Sequence, residues 1–171
     1  MGIAVRSLRI PTFRCFGFTL VELGIVVVVM AIVGSMGVGI YGRSIARSRC
    51  EAAARRIVLD LAWATRRAQH GSVGQTVTFV ASADTYQLPG VADINRAGQD
   101  YTVKLGDPPY EADLVSADFG GDAEVMFNAY GMPDSGGSVV VRVGSHTVTV
   151  VLDGATGAAT IGAMQVVDSS G

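Results

Sequence analysis

Cysteine and histidine are nearly absent from this chain, which has two of each in 171 residues. Zinc is thereby excluded, because no second cysteine or histidine lies at ligand spacing from any of them. His70 falls at the end of a helical pattern and His146 beside a hairpin turn. Ser145 and His146 are neighbours on a strand, so their side chains point to opposite faces and cannot pair as nucleophile and base. No phosphate loop or metal motif occurs, and the chain is read as non-catalytic and without a cofactor. Charge is missing over one long stretch: the 20 residues from Leu23 to Gly42 carry none. Proline is missing from Glu22 to His70, so nothing there interrupts a helix. Bases are scarce after His70, where twelve acids face only Arg96, Lys104 and Arg142, a net of −9. Such a surface repels phosphate backbones and disfavours nucleic acid as a partner.

What is present begins with a basic leader. Met1 to Gly17 holds Arg6, Arg9 and Arg14 and no acid, which places the N-terminus on the cytoplasmic side of a membrane. At about 1.5 Å rise per residue, the uncharged run matches the roughly 30 Å hydrocarbon core of a bilayer. Glu22 stands at its start, where an anion is costly and usually functional. An ordinary secretory signal would have a shorter apolar core followed by a small-residue cleavage site. A plain single-pass anchor accounts for the length but not for Gly17-Phe18 or Glu22.

The block Gly17-Phe18-Thr19-Leu20-Val21-Glu22, followed by the apolar run to about Ile40, resembles the N-terminal signal of type IV prepilins and type II secretion pseudopilins. The resemblance implies cleavage by a prepilin peptidase between Gly17 and Phe18 and N-methylation of Phe18. It implies that Glu22 meets the N-terminal amine of a neighbouring subunit during filament assembly, as a buried carboxylate and a buried amine require of one another. Cys15 would leave with the leader. Cys50 would then be the one remaining thiol, unable to form an intramolecular disulfide and expected as a small packed residue on the apolar side of a helix.

Beyond the run the helical pattern continues. Ile45, Ala46, Arg49, Ala53, Ile57, Val58, Leu61, Ala62, Thr65 and Ala68 recur at steps of three and four. Seven arginines between Arg43 and His70 face Glu51 and Asp60, a net of +5. Gly71 is placed to stop a single helix of about fifty residues. Gly34, Gly37, Gly39 and Gly42 admit two compatible readings: close helix packing through small residues, or local melting of the kind the pilin family shows inside its filaments.

After Gly71 the period falls to two. Strands are predicted at 75–80, 85–88, 101–105, 114–117, 124–128, 138–143, 146–152 and 158–161, with 89–100 a loop and the tail fading toward Gly171. The fold class is α+β: a long N-terminal helix packed on an antiparallel β-sheet head. The expected division is a cleaved leader (1–17), a transmembrane and assembly helix (18–42), an amphipathic periplasmic half of the helix (43–70) and a β-rich head (71–171).

A second resemblance lies at the other end, in Val125-Met126-Phe127-Asn128-Ala129-Tyr130-Gly131-Met132-Pro133, Gly136-Gly137-Ser138-Val139-Val140-Val141 and Asp153-Gly154-Ala155-Thr156-Gly157. It is similar to the C-terminal pattern of H-type pseudopilins, a family that takes in the FimT-like minor pilins, and Leu59 to Gly71 is similar to the end of that family's helix. The DNA-uptake members have a basic C-terminal region, which this chain lacks. The G-type relatives bind calcium in a C-terminal loop, whereas Asp118, Asp122, Glu124 and Asp134 are scattered and read as solvated turn acids. The resemblance therefore implies a minor pseudopilin of a type II secretion system. It would be anchored singly in the inner membrane with its head in the periplasm. Its partners would be other pseudopilins or pilins, the prepilin peptidase and the inner-membrane assembly platform. Two alternatives stand: a minor pilin of a type IV pilus, serving assembly initiation or DNA uptake, and a membrane-anchored substrate-binding adaptor.

Overall fold

The computed structural model describes residues 19–167, without the side chains of 35–41 and 43. The chain divides into two compact units, Met1–Ile40 and Tyr41–Gly171. Helix α1 runs from Leu20 to Gly71, 52 residues, and passes through Gly34, Gly37, Gly39 and Gly42 without a break. Among the described residues no helix is long and apolar enough to cross a membrane.

The second unit is α+β, with every strand pairing antiparallel. One sheet has the order β3-β2-β1-β5 and the other β4-β6-β7-β8, with β9 also on β7. The strands are β1 (Gln75–Val80), β2 (Thr85–Ala92), β3 (Asp100–Lys104), β4 (Asp113–Asp118), β5 (Glu124–Phe127), β6 (Gly137–Val143), β7 (His146–Leu152), β8 (Ala159–Ile161) and β9 (Gln165–Val166). Two expectations need correction. Residues 89–92, read as loop because of Pro89 and Gly90, continue β2. The pairing to β3 is kept because its register shifts between Leu88 and Ala92, a bulge that lets proline sit in a strand. Gln165–Val166 pairs with His146–Thr147, a strand of two residues and too short to show a period.

The core forms where α1 meets both sheets. Cys50, Ala53, Ala54, Ile57, Leu61, Ala64 and Ala68 are all buried, spaced by one helical turn. Ile45, expected in this stripe, is exposed, and Ala54 and Ala64 join it instead. Against the stripe lie Val77, Tyr86, Leu88, Val125 and Phe127 from one sheet and Val139, Val141, Val148 and Val150 from the other. Each fully buried Leu, Ile, Val or Phe contributes roughly 1.5–3 kcal/mol. The register of β6 on β7 sets Val139 opposite Val150 and Val141 opposite Val148, so alternate residues of both strands enter the core together.

The glycines of the C-terminal motif are packing residues. A Cβ on Gly136 would lie 2.9 Å from the Gly154 nitrogen, and one on Gly137 would lie 2.2 Å from the Asp118 carbonyl oxygen. The Gly136 and Gly154 backbones therefore touch with no room for a side chain. Asp153 closes its turn by accepting the Ala155 and Thr156 N–H groups, each at 2.8 Å. Those bonds hold its carboxyl below the ordinary range.

One polar cluster crosses the core. Asp60 is 7 % exposed and accepts from the Tyr86 hydroxyl at 2.6 Å, the Tyr101 hydroxyl at 3.0 Å and Arg56 Nε at 3.1 Å. Arg56 also donates to the Tyr101 hydroxyl, and the Trp63 ring meets Tyr101 edge-on. A buried carboxylate survives only with such partners, and these tie α1 to β2 and β3. Burial works against the Arg56 charge, but Asp60 together with Tyr101 and Tyr86 outweighs it, and the guanidinium is held more firmly protonated than usual. Burial first, then the Asp60 charge, raises Tyr86 far above the ordinary tyrosine range, and the same two causes raise Tyr101.

Tyr86→Phe keeps the ring but removes a donor to a buried carboxylate, and is expected to cost about 1–3 kcal/mol, measured as a lower urea midpoint at neutral pH. The folded state also keeps the Tyr86 proton where the unfolded chain releases it. The stabilisation is whole below about pH 10, the unfolded tyrosine value, and is lost as pH rises above it. Stability of the parent chain should therefore fall above about pH 10, and Tyr86→Phe should make that fall shallower.

Candidate functional site

Of the three expected site residues, Gly17 and Phe18 lie outside the described residues, and Glu22 is within them. Thr19 precedes the first helical residue, and its Oγ1 accepts the Glu22 backbone N–H at 3.2 Å, while its carbonyl accepts the Leu23 N–H at 3.1 Å. Thr19 is thus the N-cap of α1 and Glu22 the third residue of its first turn, the T-x-x-E arrangement of a capping box. This role for Thr19 escaped the sequence reading, although the spacing was there to show it. The cap leaves the Glu22 side chain exposed. Its carboxylate makes no hydrogen bond or ion pair among the described residues, and it lies where the helix macrodipole favours an anion.

Leu20, Val21, Leu23, Ile25, Val26, Val27, Val28, Val29, Met30, Ile32 and Val33 are all more than 40 % exposed. Apolar exposure this continuous is what a lipid or helix-bundle surface presents.

The remaining candidates have structural duties. Cys50 is fully buried, and its thiol donates to the His146 carbonyl at 3.5 Å and the Val141 carbonyl at 3.7 Å. Burial pushes that thiol up, away from reactivity. His146 is buried, and its Nδ1 has no hydrogen-bond partner among the described residues. Asp118 accepts the Gly121 N–H and so closes its own turn, while Asp134 accepts the Met126 N–H of β5. No group of three or more His, Cys, Asp or Glu side chains that could hold a metal occurs among the described residues.

No protein-family profile matches the chain, and no curated protein matches its sequence. Solved structures do match in shape. The minor pseudopilin EpsH from the type 2 secretion system of Vibrio cholerae superposes with a TM-score of 0.52 at 10 % identity, covering 67 % of this chain and 97 % of that one. The chain has the pilin-like fold of that structure. Two crystal forms of the type IV minor pilin FimU of Pseudomonas aeruginosa give TM-scores of 0.48 and 0.47, at 10 % and 13 % identity, and each covers 92 % of that chain. These matches cover 66 % and 73 % of the present chain. This architecture explains why α1 carries a row of small residues: the helix is the spine on which both sheets are packed.

Loss of the Thr19 cap is expected to free the first turn. Thr19→Ala should speed amide exchange at Glu22 about five-fold, corresponding to a cap of about 1 kcal/mol, measured by hydrogen exchange in detergent or lipid. Glu22→Gln keeps the threonine bond and should change that rate far less.

Proposed function

We propose that this protein is a minor pseudopilin, a non-catalytic structural subunit of the periplasmic filament of a type II secretion system. The observation that carries the reading is the pairing of a pilin-like head with a capped helix whose first-turn acid, Glu22, has no partner among the described residues. The division we propose is a leader (1–17) removed between Gly17 and Phe18, an anchor and assembly helix (18–42), the periplasmic half of that helix (43–70) and the head (71–171). Leu23 to Gly42 would span the inner membrane, with the leader in the cytoplasm and the head in the periplasm. N-methylated Phe18 would present its amine to Glu22 of the next subunit, with the prepilin peptidase and the assembly platform as further partners. The EpsH likeness supports a secretion role. The leader motif is shared with type IV pilins, so a minor pilin of a pilus is the second reading.

Processing is tested directly. Mass spectrometry of the membrane-extracted protein should find a chain beginning at N-methylated Phe18, and Gly17→Leu should leave the leader attached. A different mature N-terminus in a host with the peptidase would sink the assignment.

Glu22→Ala should leave insertion and cleavage intact but reduce recovery of the subunit in sheared filaments at least ten-fold, because the neighbour's buried amine loses its counter-charge. Normal recovery of the mutant counts against the amine partner.

A further inference from the structure

Where α1 ends against β1 and β2, a pocket of about 510 Å³ opens between Arg67, His70, Val73, Gln75, Pro89 and Gly90. Arg67 differs from most bases of the second unit. Arg49, Arg55, Arg56, Arg96, Lys104 and Arg142 each sit within 4 Å of a carboxylate. Arg67 instead donates Nε to the Gln75 side-chain oxygen at 3.0 Å and Nη2 to the Gly90 carbonyl at 3.1 Å. Both acceptors are neutral, so its charge is held in place without a counter-ion.

The hold is firm. Gln75 is 6 % exposed, and its amide nitrogen donates to the Thr76 and Pro89 carbonyls at 2.9 and 3.0 Å. With Nε and one Nη2 proton engaged, the opposite edge of the guanidinium, Nη1 and the other Nη2 proton, is left free. That edge fits a planar acceptor with two oxygens. Asp100 is the acid bound to the pocket's rim, through the Gly90 N–H at 3.1 Å, and it forms no ion pair with Arg67. Val73, 68 % exposed, and Pro89 give the opening an apolar lip. The carbonyl end of α1 at Gly71 adds partial negative charge, which disfavours a dianion such as phosphate more than a single carboxylate.

We propose that this pocket docks the carboxylate of an aspartate or glutamate on the head of a neighbouring filament subunit, with an apolar neighbour of that residue covering Val73. The proposal rests on the filament-subunit reading. It adds a contact in the head, distinct from the one at Glu22. An arginine pre-positioned by neutral acceptors loses little entropy on binding, as an interface anchor requires.

The test uses the full chain in its host, with a photo-crosslinking amino acid at Val73 or, separately, at Val26 in the N-terminal helix. The Val73 probe should capture a filament subunit through a peptide containing Asp or Glu, and Arg67→Gln should reduce that adduct at least five-fold. Arg67→Glu should abolish it, and exchanging the captured acid for arginine should restore it, a rescue that misfolding could not produce. Capture at Val26 with none at Val73, or a Val73 adduct indifferent to Arg67→Gln, overturns the pocket while sparing the filament reading. No capture at either position removes the filament reading, and this proposal with it.

Discussion

The head depends on one helical face being built from small residues. Cys50, Ala53, Ala54, Ala64 and Ala68 are completely buried, with Ile57 and Leu61 the large side chains among them. A helix clad in leucine would hold the strands off at a greater distance. Alanine and cysteine let the backbones come close, so the thiol of Cys50 reaches carbonyls of β6 and β7. Ten residues further on, Asp60 reaches the tyrosines of β2 and β3. The same helix thus fastens both sheets, the first through packing and a weak thiol bond, the second through a charged knot. Enlarging any of these small residues would force strain on the strands packed against it, since close-packed interiors do not absorb an added methylene freely.

The knot has a different kind of value. Replacing a buried ion cluster by apolar residues is often neutral for stability, while removing one member of it is not. Asp60 with Arg56, Tyr86 and Tyr101 therefore says little about how stable the head is. It does fix the registration of the helix on the sheet, because the Tyr86 and Tyr101 hydroxyls of β2 and β3 converge on one oxygen of a helix side chain, Oδ2. A slip of the helix by one turn would carry that carboxylate, with Arg56, away from both tyrosine hydroxyls.

Much of this was legible beforehand. The helix, its end near Gly71 and the hairpin of β6 and β7 follow from periodicity and turn residues, because each element repeats its pattern over several residues. The continuation of β2 through Pro89 and Gly90 was hidden, since a bulge suspends the rules that proline and glycine otherwise announce. The partition into two sheets was also hidden, because strand pairing is settled by contacts far apart in the chain. The motif glycines were visible as residues, but their purpose, the contact of Gly136 with Gly154, needed both turns in space. Asp60 stood in the apolar stripe between Ile57 and Leu61, and an acid in that position is a signal for a buried partner. Arg67 carried no such mark, because what sets it apart is a pair of neutral acceptors, Gln75 and the Gly90 carbonyl, that come from other elements of the fold.

Glu22 shows how a residue can be unremarkable in one setting and demanding in another. In the first turn of α1 its carboxylate is stabilised by the helix dipole by roughly 0.3–1 kcal/mol, and in water it needs nothing more. The surrounding residues are exposed and apolar, so any environment that covers them also strips water from the carboxylate. The penalty for that desolvation is several kcal/mol per ion, more than the dipole returns. A cation must then come from outside, since the described part of the chain offers none to Glu22. The requirement arises only when the apolar face is covered, which is why the role we propose for Glu22 is one in association and not in the folded monomer.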